Sequence, residues 1–337
     1  METDHGVKRV DCRVVCWSMA GEGSMYAAQL RLELGLRNRL YAKGRNFVES
    51  YGDPPVIVYA PEHAEGDAAV SGTHGNFFDA AYAAILARPE WLRRFDKVHA
   101  QAARSLPKAE RRWRELDSSM SSDALLMNVF CTPAVAEAQA VRRMLGVDAE
   151  DAPQFGWKAR VPLKSGRFDR TEVDMRWGSL LVEAKLTESD FQSCKAEVVE
   201  KYRDFDEVFD RELLPRVEIP VARQKLPAEF PEEYTQEEVY VPVEEWQPTL
   251  IEKPRACVTG YASYQLIRNV LAARAQEASF CVIHDARRPD LREAWFAVMA
   301  AVRTAEMRVR LKVLTWQELA AALPAELRAF LEIKYGI

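Results

Sequence analysis

The chain has 337 residues, 48% of them hydrophobic, so it can bury a sizeable core in one large domain or two. No apolar run approaches the roughly 18 residues that a membrane-spanning helix needs, and the first residues lack the charged-then-apolar pattern of a signal segment. We therefore expect a cytoplasmic protein with no membrane association. A net charge of −5 argues against a protein that coats nucleic acid through overall charge, although a local cationic cleft is compatible with it.

Six cysteines are scattered along the chain, which is typical of reduced thiols in a protein of this size. Cys12 and Cys16 lie close together, but their spacing differs from that of a zinc knuckle and no Cys or His pair follows them. The cysteine pattern therefore favours free thiols over a zinc site.

The first 115 residues alternate between short extended runs and helices. The predicted order is a strand at 8–17, a helix at 25–50, an extended run at 54–61, a helix from the turn at 74–76 through Ala87, and a basic helical segment at 91–116. We interpret residues 1–115 as an N-terminal α/β extension that packs on the core.

Residues 116–337 predict an α/β core in which strands and helices alternate around a β-hairpin. The expected elements are a helix capped at Ser121 or Ser122, a helix from Pro133 to Gly146, an extended run at 158–163, the hairpin at 172–186, a charged helix at 189–212, a helix at 261–276, a strand at 280–284, a helix at 290–305, a strand at 309–316 and two closing helices. An insertion at about 187–255 ends in an acidic, Pro-rich segment, 213–255, which we read as a surface excursion. This order favours a mixed sheet with helices on both faces.

The hairpin has a well-defined predicted register. Gly178 and Ser179 occupy the two central positions of a loop typical of a type II′ turn. That loop pairs the following residues across the two strands: Trp177 with Leu180, Arg176 with Leu181, Met175 with Val182, Asp174 with Glu183, Val173 with Ala184 and Glu172 with Lys185. One face is apolar, and the other carries Glu172, Asp174, Glu183 and Lys185.

The polar face of the hairpin has the chemistry of a metal site. Opposed carboxylates such as Asp174 and Glu183 repel each other unless a cation neutralises them. Two carboxylates that are open to solvent suit Mg²⁺ or Mn²⁺ better than Zn²⁺. Lys185, two residues beyond Glu183, can position a water or neutralise charge on a phosphate. The alternative is a solvated face with a Glu172–Lys185 cross-strand pair.

The spacing of Asp174, Glu183 and Lys185 resembles that of the PD-(D/E)xK, or restriction-endonuclease-like, nuclease superfamily, with Val173 where the motif has Pro. Segments 121–130, 183–188 and 264–269 are similar to a bacterial branch with S-S-Q-A…N-x-F, E-x-K-x-T-E and Y-Q-L-x-R-N motifs, and Asp123 replaces the Gln of that branch. The resemblance covers residues 115–320. It implies a restriction-endonuclease-like core and metal-dependent nuclease chemistry.

Four further residues are candidates for auxiliary roles. Asp123 and Asn128 lie near the Ser122 cap and can add a metal or water contact, whereas capping and core spacing explain Ser121 and Ser122 equally well. Gln265 and Arg268 form a polar stripe on their helix, opposite Tyr264. They can bind a phosphate or tune Lys185, and a plain polar surface is the alternative.

Basic residues before the Ser121 helix are the candidate nucleic-acid contact. They are Lys108, Arg111, Arg112 and Arg114. Such a run is often a solvated helix face, but its position directly before the candidate site favours a phosphate contact.

Together these patterns predict a nuclease that uses Mg²⁺ or Mn²⁺ to hydrolyse phosphodiester bonds of DNA, with RNA a less favoured substrate. The alternative from another class is a nucleic-acid- or protein-binding module that keeps the fold without cleavage.

Overall fold

The computed structural model of the protein describes residues 16–43, 45, 48–49, 57–58, 74–97, 115–148, 152–220 and 257–337. Several predictions lie outside these residues: most of the 8–17 strand, the basic residues Lys108, Arg111, Arg112 and Arg114, and most of the acidic Pro-rich segment. Where the 8–17 prediction does overlap the described chain, at Cys16 and Trp17, it is wrong because these residues begin a helix.

The described strands, in chain order, are β1 Val48–Glu49, β2 Ile57–Val58, β3 Gln154–Pro162, β4 Phe168–Trp177, β5 Leu180–Ala184, β6 Cys194–Lys195, β7 Arg216–Pro220, β8 Cys257–Tyr261, β9 Ser279–His284 and β10 Leu311–Thr315. The described helices are Cys16–Tyr41, Asp79–Ala87, Pro89–Phe95, Ser122–Phe130, Pro133–Glu137, Gln139–Leu145, Ala196–Val199, Phe205–Val208, Tyr264–Ala275, Pro289–Ala300, Ala305–Arg308, Trp316–Ala320 and Ala325–Tyr335, with a 3₁₀ turn at Glu115–Asp117. None of these helices is long and apolar enough to cross a membrane.

A mixed five-stranded sheet organises the fold, with the strand order β10–β9–β5–β4–β3. The β3, β4 and β5 strands form an antiparallel meander, whereas β5, β9 and β10 run parallel. Parallel neighbours need a crossover, and helices supply both: Tyr264–Ala275 precedes β9 and Pro289–Ala300 precedes β10. Because β5 lies inside the sheet between covered faces, all five of its residues are buried. The mixed α/β fold is confirmed.

Prolines and glycines lie at several helix ends, including the predicted start at Pro133 and stop at Gly146, although the single helix expected between these two is divided at Ala138. Pro133 and Pro289 occupy first helical positions, where a missing N–H costs nothing. Gly146 and Gly336 end their helices in the left-handed region, at φ +68° and +69°. The Ser121 hydroxyl caps the next helix by accepting a hydrogen bond from the Ala124 N–H (3.2 Å).

Apolar side chains fill both faces of the sheet. Alternate residues of β5 separate, with Leu180 and Val182 in one core and Leu181 in the other. The first core is covered by the Ser122–Phe130 and C-terminal helices, and the second by Tyr264–Ala275 and Pro289–Ala300. The Cys16–Tyr41 helix joins the first core through Leu30 and Leu34.

The hairpin turn forms as predicted, but its ladder is shorter. Gly178 has φ +58° and Ser179 does not have a positive φ, as a type II′ turn requires. The predicted pairs from Trp177–Leu180 to Met175–Val182 form. The pairs expected beyond them, Asp174–Glu183, Val173–Ala184 and Glu172–Lys185, do not. The reason is that β4 continues along β3 down to Phe168, whereas β5 follows β9, so the two hairpin strands separate.

Three other element predictions need correction. The charged helix expected at 189–212 is a series of short pieces, namely β6 and two four-residue helices. The Pro-rich segment begins with an ordered strand, β7, which joins β6 and β8 in a second, three-stranded sheet. The basic helical segment expected at 91–116 ends early where it is described, because the helix Pro89–Phe95 stops at Phe95, and residues 98–114 lie outside the described part of the chain.

The turn geometry gives a testable expectation for Gly178. Replacing Gly178 with Ala should lower the free energy of unfolding by about 1–2 kcal/mol, because an L-residue at positive φ is strained. Gly35 provides the control, since it lies in a helix where a new Cβ would make an ordinary 3.9 Å contact with Met120 Cε. Gly35→Ala should raise stability by up to about 1 kcal/mol. Denaturant titrations of both variants measure this, and a neutral Gly178→Ala would contradict the assigned turn.

Candidate active site

Asp174 lies where β4 and β5 separate. Its Oδ2 accepts a hydrogen bond from the Ala184 N–H at 2.8 Å, in place of the next backbone ladder pair. The side chain therefore bridges the two strands and is fixed beside the residue that follows Glu183. The two carboxylates are close neighbours, as predicted, although the contact is made by this side chain and not by an extended ladder.

Glu183 and Lys185 form a buried ion pair, with Lys185 Nζ donating to Glu183 Oε1 at 2.8 Å. Their residues are only 2% and 5% exposed. The other carboxylate oxygen, Glu183 Oε2, accepts a hydrogen bond from Asn269 Nδ2 at 2.7 Å. Lys185 is fixed through its backbone, because its N–H donates to the Ile283 carbonyl and its own carbonyl accepts from Trp316 Nε1 (2.8 and 3.0 Å). These contacts hold both side chains in place.

A third carboxyl group, that of Asp123, reaches the same region from the first turn of the Ser122–Phe130 helix. The buried Arg94 guanidinium donates to Asp123 Oδ2 and, at 3.1 Å, to Glu172 Oε1. Lys97 also contacts Glu172 Oε1, at 3.0 Å. The predicted alternative of a Glu172–Lys185 pair is therefore wrong, because Glu172 binds Arg94 and Lys97 and Lys185 binds Glu183.

Burial and mutual repulsion change the pKa values of these groups. The Asp174 pKa is raised well above its ordinary value by burial and by the nearby carboxylates of Glu183 and Asp123. Lys185 and the Ala184 N–H act in the opposite direction. The Asp123 pKa is raised to about 6, chiefly by burial, against the opposing charge of Arg94. Burial and the neighbouring carboxylates thus both oppose ionisation of Asp174.

The opposing cation stays charged. Burial would lower the Lys185 pKa, but the carboxylates of Glu183, Glu188 and Asp174 outweigh it and raise the pKa. The ammonium group is therefore protonated at neutral pH. It can donate hydrogen bonds to an oxygen but cannot accept a proton.

The residues after Lys185 tie the strand to two helices. The Ser122 hydroxyl donates to Glu188 Oε1, and Glu188 Oε2 accepts from the Leu186 N–H at 2.7 Å. Fully buried Arg288 donates to the carbonyls of Leu186 and Glu188 (3.2 and 2.7 Å). The S-S-x-A and E-x-K-x-T-E segments are thus in direct contact, through Ser122 and Glu188.

The predicted helix residues have different surroundings from those expected. Gln265 Oε1 and Arg268 Nε are buried and lack a hydrogen-bond partner among the described residues. Arg268 lies over the Tyr264 ring, 5.3 Å from its centroid, so these two residues share a face and do not oppose each other. The residue of this helix that reaches the carboxylates is Asn269. Its membership of the Y-Q-L-x-R-N segment was the available sequence signal.

Asn128 has a structural position. Its Oδ1 accepts from the Phe78 N–H at 2.7 Å, and its Nδ2 donates to the carbonyls of Asn76 and Ala124 (3.0 and 2.8 Å). The side chain thus joins its helix to the turn at 74–78, and both of its donors are used there. The geometry of this side chain therefore does not favour the contact with a metal or water that the sequence suggested.

The donor set fits a hard divalent cation. Among the residues that the structure describes, no group of three or more His, Cys, Asp and Glu side chains is arranged to hold a metal. An ion would therefore rest on Asp174 and Glu183 and complete its coordination with water or substrate oxygens, as Mg²⁺ commonly does. The raised pKa of Asp174 shows that its carboxylate charge is not fully compensated by the protein. A cation beside it would favour the ionised form.

A mixed sheet that places an Asp and a Glu-x-Lys on adjoining strands of a hairpin defines a restriction-endonuclease-like protein. Residues 37–336 match the family REase-ARP, described as "Restriction Endonuclease associating with ARP". The chain belongs to this family, which confirms the predicted superfamily and indicates a nuclease with a nucleic-acid substrate. Searches of curated proteins and of solved structures gave no match.

The uncompensated charge predicts that Asp174→Asn stabilises the protein in EDTA. Removing one of the repelling carboxylates while keeping an oxygen for the Ala184 N–H should add on the order of 1 kcal/mol, or about 2 °C in melting temperature. The control is Asp285→Asn, because the fully buried Asp285 forms an ion pair with Arg287 at 2.6 Å.

Thermal melts of both variants in EDTA test this expectation. Asp285→Asn should lower the melting temperature, since it breaks a compensated buried pair. If Asp174→Asn lowered it by the same amount, the Asp174 charge would already be matched within the protein.

Proposed function

We propose that the protein is a metal-dependent nuclease that uses Mg²⁺ or Mn²⁺ to hydrolyse phosphodiester bonds, with DNA favoured over RNA. Family membership supports the nuclease class. Asp174 and Glu183 would hold the ion. When bound, the ion would stabilise charge on the scissile phosphate and lower the pKa of a water molecule.

The observation that carries this proposal is the crowding of Asp123, Asp174 and Glu183 beside a permanently charged lysine. Asp174 and Glu183 would give the ion its ligands, and their hydrogen bonds with the Ala184 N–H and with Asn269 keep the two carboxylates from turning away. Charge that develops on the phosphate oxygens would lie beside the Lys185 ammonium. Since the Lys185 pKa is raised, its role is to donate hydrogen bonds to a phosphate oxygen or to the attacking water, and not to remove a proton.

Two residues would act by positioning. Asn269 donates a hydrogen bond to one oxygen of Glu183 and thereby fixes the orientation of the carboxylate. Arg94 holds Asp123 and Glu172 on the other side of Asp174. Neither residue needs to contact the substrate for its loss to disturb the carboxylates.

A non-catalytic binding module remains the second candidate. The observation that favours it is the pairing of carboxylates with protein cations, Glu183 with Lys185 and Asp123 with Arg94. In such a module these ion pairs would satisfy the site without a metal. The raised Asp174 pKa argues for the nuclease, because this carboxylate has no cation hydrogen-bonded to it among the described residues.

Cleavage assays test the proposal. Wild-type protein should cut at least one of plasmid, linear duplex, single-stranded DNA and RNA with Mg²⁺ or Mn²⁺, and none in EDTA. Asp174→Asn, Glu183→Gln and Lys185→Met should each reduce the rate about 100-fold or more, because each removes a group that acts at the scissile phosphate.

Glu207→Gln serves as the matched control, since Glu207 is exposed and, within the described part of the chain, forms an ion pair with Arg274 on the surface. It should cut at the wild-type rate. Circular dichroism should show that all variants are folded. Equal rates in the site variants and the control would favour the binding module.

A further inference from the structure

Three cationic side chains lie on one exposed face of β3 and β4, and we call them the basic stripe: Lys158, Arg160 and Arg170. The register places Lys158 opposite Glu172, and Arg160 directly opposite Arg170. Intervening residues, among them Ala159 and Val161, are buried in the core. On β3, Lys158 and Arg160 alternate with these core residues, and Arg170 lies directly opposite Arg160 on β4, so the three cations share the outer face, where all of them are exposed.

Among the described residues, no carboxylate forms a direct ion pair with the basic stripe, although the charge of Lys158 contributes to lowering the pKa of Glu172. The nearest carboxylate by register, that of Glu172, binds Arg94 and Lys97 instead. Within the described part of the chain, none of the three stripe residues forms an ion pair. Like charges directly opposite each other in an antiparallel pair are destabilising. The Arg160–Arg170 pair therefore costs stability unless an anion lies over it.

The side chain of one stripe residue, Arg160, is oriented by an aromatic ring. The Arg160 guanidinium lies over the Phe168 ring, 4.4 Å from its centroid, and Phe168 is 47% exposed. An aromatic ring beneath a guanidinium orients the group and leaves its N–H donors free for an outer ligand.

The basic stripe is continuous with the candidate active site. Along β4, Arg170 is four residues from Asp174, which at about 3.3 Å per residue places the Arg160–Arg170 pair about 13 Å from it. Lys158, which lies opposite Glu172, is about half as far from Asp174. A cleft of about 930 Å³ occupies this region, and its lining includes Lys158 together with Arg94, Lys97, Trp157 and Glu172.

We propose that the basic stripe binds the phosphodiester backbone of the nucleic acid on one side of the scissile phosphate. This inference rests on the proposed function, because it places the scissile phosphate at Asp174. The charges are complementary, because duplex DNA carries one negative charge per about 1.7 Å of axis, so several phosphates fall within the length of the stripe. Phosphate contacts of this kind set register and affinity without reading sequence.

The test is equilibrium binding in EDTA, so that affinity is measured apart from cleavage. Fluorescent oligonucleotides of about 30 nucleotides, as duplex DNA, single-stranded DNA and RNA, are titrated between about 50 and 200 mM KCl. The Arg160→Ser/Arg170→Ser variant should bind at least tenfold more weakly than wild type. Its log–log salt slope should be about 1.8 smaller, since each phosphate contact contributes about 0.9 for duplex DNA.

Arg203→Ser/Arg274→Ser is the matched control. It removes the same charge from surface arginines that are ion-paired, with Asp204 and Glu207 respectively. The control should change affinity less than twofold. The stripe variant should also be as thermally stable as wild type or more so, because it removes an opposed like-charge pair.

Three outcomes would overturn the inference. The stripe variant could bind all three probes as tightly as wild type, or the control could lose as much affinity as the stripe variant. In the third outcome, polyglutamate would displace the bound duplex as effectively as unlabelled duplex does. Cleavage by wild type with Mg²⁺ is read in a separate assay. If wild type did not cleave, the proposed nuclease function would be wrong, but the binding result would stand. If the stripe variant bound as tightly as wild type, the stripe would not be the binding surface, but cleavage by wild type would be unaffected.

Discussion

The repulsion among buried carboxylates at the point where β4 and β5 separate is the constraint on which the site depends. Asp174 bridges the strands through the Ala184 N–H, and this contact draws its carboxylate toward Glu183. Burial removes the water that would otherwise screen the charges, so the Asp174 pKa rises. Much of the surrounding structure holds this unfavourable arrangement in place.

The supporting contacts come from both sides of the sheet. Lys185 and Asn269 hold the two oxygens of Glu183, one from β5's own extension and one from the helix that precedes β9. Arg94 holds Asp123 from the opposite side. Arg288 binds the carbonyls that follow Lys185, so the strand cannot shift along its axis without breaking buried hydrogen bonds. A rigid site of this kind is what metal ligation requires, because the ligands need not be ordered when the ion binds.

Local patterns in the sequence were enough to predict the turn, the first three hairpin pairs and the proximity of Asp174, Glu183 and Lys185. The turn residues Gly178 and Ser179 set the register near the loop. Alternation of apolar residues then identified the buried face. Both patterns depend on residues that are close in sequence, so the structures that they predict do not depend on distant segments of the chain.

Other features depend on contacts between distant segments and could not be derived in this way. The ladder ends early because β5 pairs with β9, about 100 residues further on. Asn269 and Arg94 reach the site only when two helices pack on the sheet, and neither position is distinctive in a single sequence. The prediction of a helix at 189–212 was wrong because this segment forms short elements that pack with the second sheet. Tertiary contacts there outweigh the local charge pattern.

We propose that Asp174 and Glu183 together hold a divalent cation. Anomalous diffraction from a crystal of the wild-type protein soaked in Mn²⁺ tests it most directly. We expect a peak that both carboxylates coordinate at about 2.0–2.2 Å, with Lys185 displaced toward solvent or substrate. A diffraction map with no peak there, and with Lys185 still bonded to Glu183, would contradict it.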